Sequence, residues 1–349
     1  MAEMKEVKGF DDFLLVPQYS DIRSRSEIDT SVSLGGLTLK TPIIASPMST
    51  VTEAYMINAL SNLETLGIIH RYNTVSFQRK LLSFVQNESY KSAAVGVSGD
   101  YKERLADLVG EGLKFVCIDI AHGDHILMKD AIAHIKEKYP GLYIIAGNVA
   151  TADGYKRLSE WGADAIRLSV GSGSICTTRI QTGHGIPTMQ AIIDASKAQK
   201  EYQDKDLHAA KIIADGGIKN SGDIVKCLAA GADLVMLGSM LSGTKESPGK
   251  VIIMPDGLKS KRYNGMASKA AQKNWKGSYS SIEGVSSVVP YKGTVAKVIR
   301  EIMSNVRSGM SYSGARSLKE FKEKAQLVLQ TPASSVESGP HIYRNGGRS

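Results

Sequence analysis

Short apolar runs, rich in β-branched residues, alternate with amphipathic stretches along most of this chain. The runs are PIIASPM (42–48), GIIHR (67–71), AAVGVS (93–98), FVCIDIAHG (115–123), YIIAGNV (143–149), AIRLSV (165–170), KIIADGG (211–217) and LVMLGSM (234–240). Segments between them, such as 101–112 and 187–201, repeat apolar residues at helical spacing. Runs this continuously hydrophobic belong to a parallel sheet covered on both faces, since a strand with one wet face would alternate. Eight strand–helix units in succession predict an α/β fold, a (β/α)8 TIM barrel. An open doubly wound sheet is the rival, but no GxGxxG follows the first run, and eightfold alternation closes more naturally into a barrel.

Two segments break the alternation. Residues 171–186 form a long Gly-rich loop after the sixth run, and residues 249–293 separate the eighth run from its helix. Long loops inside a compact domain are usually functional. The second begins VIIM-PDG-LKSKRY, where Pro255, Asp256 and Gly257 supply turn chemistry for a hairpin, then turns polar and rich in Lys, Ser and Gly. It reads as a flap that closes over a site. With a tail at 331–349, the 349 residues are those of one catalytic barrel domain.

Composition narrows the function. The formal charge is +8, but Lys and Arg are scattered among Asp and Glu without a basic block. That argues for a small anionic ligand and against nucleic acid. The N-terminal MAEMKEVKGFDDF carries charges where a secretion signal needs an apolar run, and no stretch reaches membrane-span length, so a cytoplasmic protein without membrane contact is expected. Cys117, Cys176 and Cys227 are odd in number and lack CxxC pairing, which disfavours a disulfide framework or a zinc site. Cys117 and Cys227 lie in apolar patterns and are expected to be buried and inert.

Active sites of TIM barrels form at the C-terminal strand ends, so the residues just after each run are the candidates. In GSGSICTTR after the sixth run, Gly171, Gly173 and Ser174 let backbone approach a ligand. Cys176 there lies near Arg179, and a loop thiol near a cation suits nucleophilic chemistry. Asp215 precedes Gly216 and Gly217, placing a carboxylate for a ribose diol with room for a phosphate. Gly238 and Ser239 offer donors where barrel phosphate sites recur. Asp119, ahead of Ile120, Ala121 and His122, suits a second ligand's hydroxyls, and Glu283 in the flap suits proton transfer.

Taken together, FDDFLLVP (10–17), ASPMSTV, GNVAT, GSGSICTTR, ADGG, VMLGSML, YNGMAS and VPYKG resemble the IMP dehydrogenase and GMP reductase family over nearly the whole chain. The resemblance implies that Cys176 attacks C2 of a purine nucleotide, Thr178 assists, and Glu283 contacts the base and relays protons. It implies that Asp215 holds the ribose, and that Gly217, Gly238, Ser239 and Tyr263 surround the phosphate. Ser46, Met48, Ser174, Gly265 and Met266 would line the nucleotide pocket. Asp119, Ile120, Ala121 and Asn148 would meet the nicotinamide cofactor, and backbone carbonyls of Gly171, Gly173 and Cys176 would hold a potassium ion. A homotetramer is the family's usual assembly.

Within that family two reactions compete. Dehydrogenases usually insert regulatory modules after the second strand region, and residues 72–92 are too few for them. Dehydrogenases also activate water with a flap Arg-Tyr pair, whereas positions 264–283 contain no arginine. Both features, with IDIAHG (118–123) and IIHRY (68–72), resemble a reductase using NADPH; VESGPHI (336–342) and RSGMSYSG resemble a dehydrogenase using NAD. Ser49, Ser172 and Ser280 depart from the family's usual Asp, Pro and Arg. GMP reductase is the expectation; IMP dehydrogenase and a non-catalytic nucleotide binder are the alternatives.

Overall fold

The computed structural model describes residues 4–265 and 284–339. All eight apolar runs form strands: β1 Ile43–Ala45, β2 Leu66–Gly67, β3 Ser92–Val95, β4 Phe115–Asp119, β5 Tyr143–Val149, β6 Ala165–Leu168, β7 Lys211–Asp215 and β8 Leu234–Leu237. They pair in parallel in the order β2-β1-β8-β7-β6-β5-β4-β3. The two ends meet through a parallel bridge between Ile69 and Ala93. There Ile69 N–H donates to Ser92 O at 3.0 Å and Ala94 N–H to Ile69 O at 2.8 Å. The sheet therefore closes into the expected (β/α)8 barrel, whose strand residues Ile43, Ile44, Val116, Ile145, Ile166, Ile213 and Val235 are fully buried, alternating between the barrel interior and the helix-covered outer face.

Several runs stop pairing earlier than their hydrophobicity suggests. β4 ends at Asp119 and β3 at Val95, and β2 continues only as the bridge at Ile69. Beyond these points a few cross-strand bonds persist, such as Ile120 N–H to Gly147 O at 3.0 Å, and the chain then turns into the loops above the barrel, where site residues are needed.

Each strand is followed by a helix: α1 Ala54–Ser61, α2 Val75–Ser83, α3 Tyr101–Gly110, α4 Ile126–Lys138, α5 Ala152–Glu160, α6 Thr188–Asp204, α7 Ser221–Ala229 and α8 Val295–Ser311. Their starts follow capping chemistry: Thr74, Thr151, Asn220 and Thr294 each accept a backbone N–H of the first turn. Their inner faces follow 3.6 periodicity, as in α4, which buries Met128, Ala131, Ile132 and Ile135. A short helical turn, Thr178–Thr182, lies within the β6–α6 segment expected to be loop throughout.

The opposite end of the barrel is plugged by a hairpin, Val32–Leu34 with Leu37–Leu39, whose Leu34 and Leu39 are fully buried. Strands Phe13–Leu15 and Leu327–Leu329 pair antiparallel and tie the chain's two ends together. After β8 the expected hairpin is present and gains a third strand: Ile252–Ile253, Lys259–Asn264 and Ser286–Pro290 form an antiparallel sheet. Buried Lys261 anchors it, donating to Ser247 O at 2.6 Å and Lys245 O at 3.2 Å. Among the described residues no helix is long and apolar enough to cross a membrane.

Candidate active site

A cavity of about 320 Å³ opens at the C-terminal ends of the strands and collects residues far apart in sequence. The β1 end contributes Ser46 and Met48, the β4 end Asp119, Ile120 and Ala121, and β5 contributes Asn148. The long β6 loop contributes Gly171, Gly173, Ser174, Cys176 and Thr178; β7 and β8 supply Asp215, Gly217, Gly238 and Ser239. Tyr263 and Gly265 enter from the flap sheet. Met266, Ser280 and Glu283 lie outside the described residues. His122 is exposed and not part of the lining.

Arg167 governs the cavity floor. Its Nη1 donates to Asp119 Oδ1 at 2.7 Å, while Nη2 and Nε donate to Asp215 Oδ2 at 2.8 and 3.0 Å. One buried guanidinium thus spans two carboxylates from strands on either side of its own. Asn148 Nδ2 also donates to Asp215 Oδ2, at 2.9 Å. Every recorded bond of Asp215 therefore falls on Oδ2, and Oδ1 has no partner among the described residues. Asp119 differs. Its Oδ2 accepts from Tyr72 Oη at 3.3 Å and faces Arg71 Nε at 3.4 Å, so both oxygens are engaged. Burial alone would raise the Asp119 carboxyl, but the charges of Arg167 and Arg71 outweigh it and hold the group below its ordinary value. Burial pushes the neighbouring Cys117 thiol up to about 12, which keeps it protonated, as expected for an inert core cysteine.

The cavity roof is made of main chain. Cys176, the loop thiol singled out from the sequence, is half-buried and held in place. Its N–H donates to Gly173 O at 3.0 Å, and Sγ lies 3.2 Å from Thr178 Oγ1. It bridges to Gly284 of the flap, and Val285 N–H donates to Ile175 O at 3.0 Å. The Arg179 guanidinium, expected beside the thiol, donates to Ser172 Oγ at 2.8 Å. Beneath them Tyr263 is buried with Oη 3.9 Å from Met48 Sδ, and a Cβ on Gly238 would lie 3.1 Å from each of those atoms. Burial raises the Tyr263 hydroxyl above its ordinary range, so it stays a neutral donor.

Three polar lining residues escape sequence reading: Arg167, Tyr72 and Ser169. An arginine within the apolar run AIRLSV is the signal for the first, because a buried guanidinium needs acidic partners. Ser169 adopts φ +121°, unusual for a residue with a side chain, at the turn from β6 into the loop. Nothing in its neighbours along the chain announces that.

The donor set is compatible with a dinucleotide beside a nucleotide, since Asp119, Ile120, Ala121 and Asn148 share one wall of the cavity. Among the described residues no group of three His, Cys, Asp or Glu side chains is arranged to hold a metal ion.

Comparison with known proteins agrees with this geometry. Residues 8–341 match the family described as the IMP dehydrogenase / GMP reductase domain. An inosine-5′-monophosphate dehydrogenase of Nitrosopumilus maritimus is 32% identical, covering 97% of this chain and 99% of that protein. Their alignment runs over 477 positions, more than the 349 residues here, so that relative carries sequence this chain lacks. An inosine-5′-monophosphate dehydrogenase of Aquifex aeolicus is 39% identical over 92% of this chain and 69% of its own length. The solved structure of a Trypanosoma brucei GMP reductase in complex with guanosine 5′-monophosphate superposes with a TM-score of 0.89 at 27% identity, covering 97% of this chain and 98% of that one. The chain belongs to the IMP dehydrogenase / GMP reductase family, oxidoreductases of purine metabolism.

Proposed function

We propose that this chain is a GMP reductase, converting GMP to IMP and ammonia at the expense of NADPH. The observation that carries the reading is the pairing, within one cavity, of the Cys176 thiol on the roof with the unpartnered Asp215 Oδ1 on the floor. A nucleoside monophosphate suits this spacing of roles: Asp215 Oδ1 accepts from its ribose, and Ser239 with the Gly217 and Gly238 backbone faces its phosphate. The thiol is left to meet the base. The Cys176 thiolate adds to C2, and the C2 amino group leaves as ammonia after taking up a proton, leaving a thioimidate on Sγ. Thr178 Oγ1, in contact with Sγ, steadies the thiol and can pass a proton at that atom. Asp119, Ile120, Ala121 and Asn148 would hold NADPH, which would supply the hydride that replaces the amino group. Cys176 then departs as thiolate and IMP is released.

Sequence supports the reductase branch. Hydrolysis of a covalent intermediate needs an activated water, and positions 264–283 carry no arginine to generate one. The match to the trypanosomal GMP reductase, nearly end to end in both chains, supports the same branch. A second reading, IMP dehydrogenase with NAD, is favoured by the names of the relatives at 32% and 39% identity. In that reading a potassium ion would meet backbone carbonyls of Gly171, Gly173 and Cys176, of which Gly173 O already accepts the Cys176 N–H. Absorbance of the reduced nicotinamide separates the two. We expect its loss with GMP and NADPH, with one ammonia released per cofactor consumed. A gain with IMP and NAD, and no change with GMP, refutes the reductase reading.

A further inference from the structure

The family's usual proline is replaced here by Ser172, four residues before Cys176, and the structure gives that serine a job. Ser172 Oγ accepts from Arg179 Nη2 at 2.8 Å and donates to Ile186 O at 3.2 Å. It therefore touches both later limbs of the loop that Val170 and Ile186 close by their antiparallel bridge. The stem of Arg179 lies flat across the loop's base: a Cβ on Gly171 or on Gly185 would come within 2.7 Å of Arg179 Cγ. Gly171 has φ +80°, a second reason for glycine there. Among the described residues no carboxylate pairs with Arg179, and its side-chain hydrogen bond is the one to the serine.

A proline fixes its own φ and so restrains a loop at no cost in hydrogen bonds. Serine does neither. We propose that Ser172 and Arg179 form a clasp across the base of the Cys176 loop, and that in this chain the clasp supplies the restraint that positions the thiol. Both are positioning residues, since they act on Cys176 through the loop. A charge-assisted bond holds a substituent more firmly than a neutral one, and it closes a loop whose other internal ties near the thiol are the Cys176–Gly173 backbone bond and the Thr178 contact.

Alkylation by iodoacetamide, followed by intact mass, reads the thiol directly. Cys117 and Cys227 are fully buried, so the first label reports Cys176. Loss of one such bond is expected to raise the labelling rate about fivefold in Ser172→Ala. Ser172→Thr, which keeps the hydroxyl, should stay near the wild-type rate. Arg179→Gln should match Ser172→Ala, and the double variant should label no faster than either single one. Thermal melts check that each variant is folded, and if Ser172→Ala is not, Arg179→Gln against Arg179→Lys carries the same comparison. An unchanged or lower rate in the single variants, or effects that multiply in the double variant, overturns the clasp. The readout concerns the thiol alone, so it is independent of which nucleotide is turned over.

Discussion

The floor and the roof of the cavity are built on different physical terms. The floor is a closed arrangement of buried charge: Arg167 from β6 meets Asp119 from β4 and Asp215 from β7, and each side chain is less than 15% exposed. The roof is a loop and a flap strand joined by backbone bonds, with Arg179, Gly173 and Ser174 exposed. A buried network has one low-energy arrangement because every alternative strands a charge. A loop tied largely by main-chain bonds keeps several. That division fits the proposed reaction, in which the floor binds a ribose at a fixed place while a thiol on the roof attacks, carries and releases a base.

If the floor is that rigid, breaking it should cost most. Arg167→Leu leaves two buried carboxylates facing each other, and should lower stability by about 3–5 kcal/mol in urea unfolding. A variant within 1 kcal/mol of wild type would show the floor to be no more constrained than the roof. Next comes Asp215→Asn, which alters the open acceptor without removing its shape. The KM for the nucleotide should rise about tenfold to a hundredfold, with a smaller change in kcat. A pure kcat effect would place Asp215 in the chemistry instead. A smaller effect is expected from pH. Arg167 and Arg71 hold Asp119 below its ordinary 3.8, so its contribution to stability is complete above that value and is lost as pH falls through the lower folded value. The Tm difference between wild type and Asp119→Asn should therefore be constant from pH 7 to about pH 4.5 and shrink below pH 4. The smallest change should follow Tyr72→Phe, which removes one 3.3 Å bond to Asp119 and should cost about 1 kcal/mol or less.

The two regions also differ in how much of them the sequence discloses. Every barrel strand was visible, because a parallel strand buried on both faces has a composition of its own. The roof's chemistry was visible too: GSGSICTTR announces a thiol among glycines, and the turn residues of the flap hairpin announce themselves. The floor was half hidden. Asp119 and Asp215 stand at strand ends and could be picked out singly, but Arg167 lies 48 residues from each of them, and only barrel closure brings the three together. The strand ends were hidden as well, since Ile120 and Ala121 are apolar enough to belong to a strand and yet line the cavity. The serine for proline exchange at 172 was legible as a departure, but its meaning required the position of Arg179.

The most direct test of the division between floor and roof is Cys176→Ala, assayed twice: for GMP binding by calorimetry and for NADPH oxidation with GMP. The floor is untouched in this variant, so GMP should bind within about threefold of the wild-type Kd while turnover falls by about a thousandfold or more. Turnover at the wild-type rate would contradict covalent chemistry at Cys176, and with it the assignment of binding to the floor and reaction to the roof.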